Sequence, residues 1–216
     1  MHIIHRDDLW IQNKLGITLS KTNYWVAGGA ALSWFLGRPT NSDIDLYFKS
    51  EIRFNIFKKT LEATLRGADK TISEIYKTIS EINDYLIPPH DYPHTIHETQ
   101  NAISYDINDG ITMNHLGKLQ LIRRNFYDNP QECIEDFDIS ICQIATDGDK
   151  IWVGEHTLED IEKRQFRFTK NIGVSSARRF IKYHAYGFRA VDEAYDQLFA
   201  ADNVSWVRAV GQDDYA

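Results

Sequence analysis

The sequence predicts an α+β fold, a mixed β-sheet with helices packed on it, followed by a small C-terminal helical region. Three observations predict it. Short apolar runs at 24–27 and 44–48 alternate with segments of helical period. A cluster of strand and turn signals then occupies 102–153. From residue 156 onward the pattern is helical, with no strand signal. The chain of 216 residues is thus divided into a core, 1–155, and a helical region, 156–216.

The elements follow in order. Mixed apolar spacing over 6–19 predicts a leading helix. A short buried strand at 24–27, a helix at 30–36 and a second strand at 44–48 come next. Ile52, Ile56, Leu61 and Leu65, filled in by Phe54 and Phe57, put an apolar stripe on a helix over 51–65. Ile72, Ile75, Tyr76, Ile79, Ile82 and Leu86 repeat it over 70–86, where Pro88-Pro89 ends the helix. Residues 87–100 hold His90, His94 and His97 and read as a loop beside the active site. A zinc site is the alternative there, but no ligand set at zinc spacing completes it. Asn108-Asp109-Gly110 between apolar runs at 102–107 and 111–115 predicts a hairpin. Residues 118–123 are a further strand ending in Arg123-Arg124, a weak candidate for an acceptor groove. Asn129-Pro130 marks a helix start. A buried strand over 139–145 turns at Asp147-Gly148-Asp149 into 151–153, and helices are expected at 158–164, 175–189 and 192–200.

Charge and composition narrow the function. A net charge of −7 and a pI of about 5.6 exclude broad, nonspecific nucleic-acid binding while leaving room for a local basic groove. Cys133 and Cys142 stand at no metal spacing, so a reducing compartment with free thiols is expected. No apolar stretch approaches the about 20 residues of a membrane span, and the N-terminal pattern is not a signal peptide. The expectation is a cytoplasmic protein with no membrane partner.

The chemistry concentrates in residues 25–48. Gly28-Gly29 ends an apolar run and opens a helix, and a backbone without Cβ can approach a polyphosphate closely. Asp43 and Asp45 alternate on a strand, so both carboxylates project from one face, about 7 Å apart along the chain. Paired carboxylates suit Mg²⁺, a hard cation that keeps phosphate oxygens in its shell. Either feature alone is commonplace, the Gly pair as a turn and Asp-x-Asp as a solvated edge. Together, in a strand–turn–helix–strand context, they point to nucleotidyl transfer.

These residues resemble the signature of the DNA polymerase beta-type nucleotidyltransferase superfamily, in its small stand-alone bacterial, phage and viral members. The resemblance implies a metal-dependent transferase moving a nucleoside monophosphate from an NTP to a hydroxyl on RNA (such as tRNA), a protein or a small molecule. It also implies Mg²⁺ as two ions, with Mn²⁺ as substitute, and a third carboxylate on a later neighbouring strand. Ala30 departs from the pattern, standing where many active members carry a Ser that touches the triphosphate. Ser33, one turn on, is the compensating candidate.

Asp138 is expected to be the third acid, sharing the face of Ser140 and Cys142 if 139–145 is a strand, with Asp136 ending the preceding helix. On this reading Asp43, Asp45 and Asp138 hold the metals and carry catalysis. Gly28, Gly29, Ser33, Arg179, Lys182 and Tyr183 bind the nucleotide, the last three from a run (178–189) similar to a helix that follows the core in relatives. That run also reads as an ordinary amphipathic helix with a solvated basic face. Two alternatives stay open: an inactive nucleotidyltransferase fold that holds nucleotide or RNA, and a toxin or antitoxin component.

Overall fold

The computed structural model describes residues 24–38, 43–63, 94–108, 115–170 and 172–200. The helices expected at 6–19 and 70–86, His90 and the centre of the Asn108–Gly110 turn lie outside these residues.

Seven strands form one mixed sheet: β1 (Trp25–Ala27), β2 (Ile44–Tyr47), β3 (His94–Glu98), β4 (Ala102–Asn108), β5 (His115–Ile122), β6 (Ile144–Thr146) and β7 (Ile151–Val153). Their order is β3-β4-β5-β2-β1-β6-β7. Only β2 and β5 run parallel, and the other neighbours are antiparallel. Helix α1 (Gly29–Phe35) follows β1, and residues 51–63 form α2 after β2. Then come α3 (Pro130–Glu135), a single 3₁₀ turn (Ser140–Cys142), α4 (Thr157–Glu162), α5 (Val174–Ala185) and α6 (Asp192–Ala200).

The helix expected over 51–65 forms, but it buries a different face from the stripe read in the sequence: Ile52 and Ile56 are exposed, and Leu65 lies outside the described residues. Phe54, Phe57 and Leu61 of α2 are buried, and Phe48 meets both phenylalanine rings at 5.3–5.5 Å. Asn129 caps α3 by accepting the Glu132 amide at 3.0 Å, with Pro130 at the first helical position. Phe166, Phe168, Tyr183 and Phe188 join the same apolar core as Val26, Ile44, Leu46 and Leu121, so the C-terminal helices pack onto the sheet.

Other expectations also need correction. Residues 94–98 are strand β3 rather than loop, because every residue from His94 to Glu98 pairs with β4. Arg123 fastens that corner, bonding Glu98 at 2.6 Å and the carbonyl of Thr99, and so serves structure rather than an acceptor groove. The strand expected at 118–123 is part of a longer one, His115–Ile122, that pairs with β4, and most of the strand expected at 111–115 lies outside the described residues. Residues 139–145 are not one strand. Ser140 and Arg167 are bonded twice, the Ser140 amide donating to the Arg167 carbonyl at 3.0 Å and the Arg167 amide donating to the Ser140 side-chain Oγ at 3.1 Å. That exchange folds 140–142 into a 3₁₀ turn, and only Ile144–Thr146 joins the sheet. Lastly, the C-terminal region contains strand: β8 (Gln165–Phe166) pairs in parallel with β9 (Arg189–Ala190).

Candidate active site

The two carboxylates do emerge together. β2 alternates buried Ile44 and Leu46 with Asp43, Asp45 and Tyr47, which line a cleft of about 320 Å³ on the other face. Gly29 forms its floor beside the first turn of α1. From α5, Arg179, Lys182 and Tyr183 reach the cleft at a spacing of three and four residues, a single helix face. Of the residues proposed from sequence, the structure thus brings six together: Gly29, Asp43, Asp45, Arg179, Lys182 and Tyr183.

Gly28 acts from below. Its φ of +77° excludes most side chains, and a Cβ there would lie 2.8 Å from the Phe137 ring. That ring divides the cleft from a second, neighbouring one of about 440 Å³ and packs against Tyr47 at 5.9 Å. Gly28→Ala is expected to cost about 1–3 kcal/mol in urea denaturation, strain and ring displacement together. Gly37→Ala is the control, since Gly37 also has positive φ but open space around it, and it should cost about 1 kcal/mol.

Asp45 carries the strongest electrostatic signature. Its Oδ1 is sealed from solvent and has no hydrogen-bond partner. Burial first, then the Asp43 carboxylate, pushes its pKa up to about 7, against the pull of Lys182, Arg179 and Lys118. A buried carboxylate oxygen without a donor, beside a second carboxylate, is fitted to receive a cation.

Asp138 is placed differently from expectation. It lines the second cleft rather than the first, and its two oxygens are taken by Ser176 Oγ and Arg179 Nη1. The 3₁₀ turn after it abolishes the strand parity on which its assignment rested. Among the described residues no three His, Cys, Asp or Glu side chains converge as they would around a metal. Asp136 ends α3 as expected, its carboxylate held by Tyr127 at 2.7 Å and by Lys170.

Two further corrections concern the nucleotide-binding residues. Tyr183 is only 3% exposed. Its hydroxyl meets Cys142 Sγ at 3.0 Å, and its ring packs with Phe166 and Phe188, so it is wall rather than a platform for a base. Ser33 does not line the cleft, and buried Ala30 offers no hydroxyl.

Gln120, which sequence reasoning missed, faces the cleft from β5. The parallel register sets it directly beside Asp45. The signal was a polar residue between Leu119 and Leu121 in a strand, but its partner strand is invisible to local pattern.

The sheet, the Gly turn and the paired aspartates define a nucleotidyltransferase-like fold. One solved structure, a CCA-adding enzyme in complex with ATP, superposes with a TM-score of 0.52 at 14% identity, covering 92% of this chain and 45% of that one. The Thermotoga maritima CCA-adding enzyme complexed with tRNA gives a TM-score of 0.49 at 14% identity, again over 92% and 45%. The chain therefore spans less than half the length of these enzymes. No curated protein matches it in sequence. Residues 3–164 match Gad2, the Gabija anti-defense 2 family, and the chain belongs to that family.

Proposed function

We propose that the chain binds a nucleoside triphosphate with Mg²⁺ and transfers the nucleoside monophosphate to a hydroxyl of an RNA, a protein or a small molecule, the hydroxyl oxygen bonding the α-phosphorus and losing its proton as the bond to the β-phosphate breaks and pyrophosphate leaves. The observation that carries this reading is the unpartnered, sealed Oδ1 of Asp45 beside Asp43, in a cleft that also holds Arg179 and Lys182.

Asp43 and Asp45 would hold the ion, which when bound neutralises charge on the triphosphate and polarises it for in-line attack. The residues of the chain supply the rest. Gly29 lets the backbone come close to the phosphates. Arg179 and Lys182 face them with two cations, and the guanidinium offers paired donors. Tyr47, Phe137 and Tyr183 wall the cleft and limit water. The family's anti-defense description supports seeking the acceptor among the components of the Gabija system.

A second reading, nucleotide held without turnover, is favoured by Ala30, which leaves the turn without a hydroxyl for the triphosphate. One experiment separates the two. The protein is incubated with Mg²⁺ and each α-³²P-labelled NTP, with and without lysate RNA and protein. Label appearing in RNA, protein or a small molecule is expected, and Asp43→Asn should reduce it to background. Retained, saturable NTP binding with no labelled product would leave the holding function. Neither binding nor product would refute both.

A further inference from the structure

We infer that this site holds a single divalent cation, and that Gln120 is the reason. The inference rests on the nucleotide-binding reading above.

Two cations about 3.5–4 Å apart leave a single Asp pair short of negative charge, and a further carboxylate on the adjoining strand is what a second ion would call for. In this sheet the strand that flanks β2 on the side of β5 supplies the residue paired with Asp45, and that residue is Gln120. Its amide is neutral and donates to Ser104 Oγ at 3.1 Å. Other candidate acids are engaged elsewhere. Asp138 lies in the second cleft, bonded to Ser176 and Arg179, and Asp136 is held by Tyr127 and Lys170. Cys142, which also lines the cleft, is 2% exposed and bonded to Tyr183. On its open side the pair instead faces Arg179 and Lys182. Two carboxylates and two cationic side chains match one divalent ion bridging a triphosphate. Among the described residues no further carboxylate joins them to seat a second ion.

The test counts Mn²⁺ by electron paramagnetic resonance on the full chain with each common α,β-methylene nucleoside triphosphate, correcting for ion bound to free nucleotide. About one Mn²⁺ per protein–nucleotide complex is expected, and Gln120→Glu should raise this to about two. Gln120→Ala should stay at one, which separates the added charge from loss of the Ser104 bond. Two ions in the unaltered protein would overturn the inference while leaving nucleotide binding intact. No ion and no nucleotide bound would overturn the functional reading itself. A count of one in Gln120→Glu would refute Gln120 as the deciding position.

Discussion

Asp45→Asn is expected to remove Mg²⁺-dependent nucleotide binding and reduce transfer to background, while making the metal-free protein more stable. The sign follows from the raised pKa. In the unfolded chain Asp45 titrates near 3.9, whereas in the fold it does so at about 7 because burial and Asp43 disfavour its charge. Stability from this residue is complete below pH 4, is lost as pH rises through 7, and stays lost above. A neutral amide escapes that loss. The gain over the parent should therefore be absent below pH 4, grow between pH 4 and 7, and level off above. Full linkage over this interval amounts to about 4 kcal/mol, but relaxation and water near the cleft should lower it to about 2 kcal/mol. Melting curves in chelator at pH 3.5, 5.5 and 8 check the profile, and calorimetry with Mg²⁺ and NTP checks the loss of binding. A variant that melts lower at every pH would mean that Asp45 is a structural acid.

Asp160→Ala should have the largest effect on stability. Asp160 has no exposed surface. It accepts from Ser140 Oγ at 2.6 Å, from Arg167 through two bonds at 2.7 and 2.9 Å, and from Gln165 at 2.8 Å. The same knot includes Thr157, whose hydroxyl donates to the Ser140 carbonyl at 2.8 Å. It joins α4, β8 and the 3₁₀ turn, and so fixes the segment that carries Asp138 and Cys142. Removing the carboxylate strands Arg167 and two further donors, Ser140 Oγ and Gln165 Nε2, costing about 3–5 kcal/mol. Because Arg167 keeps some exposure, the lower figure is expected, a fall in Tm of about 6–12 °C. Burial alone would raise the Asp160 pKa, but the bonds from Arg167, Ser140 and Gln165 outweigh it, and the net direction is down. Its stabilising contribution is thus present above pH 4 and lost as pH falls through the lowered value. The deficit of the variant should be constant at neutral pH and shrink under acid. Urea denaturation at pH 7 and pH 3 measures both, and a deficit that is equal at the two would contradict the charge-based account.

Much of this protein was legible in its sequence, and the legible part is local. The alternation Asp43-Ile44-Asp45-Leu46 places two carboxylates on one face because a strand has a period of two. The glycine at 28 marks a backbone that bends as only glycine does. Asn129-Pro130 announces its helix through a cap and a missing amide, and Arg179, Lys182 and Tyr183 share a helix face by spacing alone. The α+β class followed from the order of such elements.

What the tertiary structure decided is every fact that depends on which distant segments meet. His94–Glu98, polar and close to prolines, looks like loop until β4 supplies the bonds of its ladder. Asp138 looked like a cleft acid because 139–145 read as a strand, yet the bonds between Ser140 and Arg167 curl that stretch and turn the carboxylate toward Arg179 and Ser176. Gln120 carries no local sign of importance and acquires it only from the parallel register with Asp45. Tyr183, a plausible platform by composition, is buried by Phe166 and Phe188. Side-chain period and backbone sterics act within a few residues and are written in the order of the chain. Pairing register and burial are set by contacts between segments that lie as far apart along the chain as Val26 and Thr146, and no local pattern encodes them.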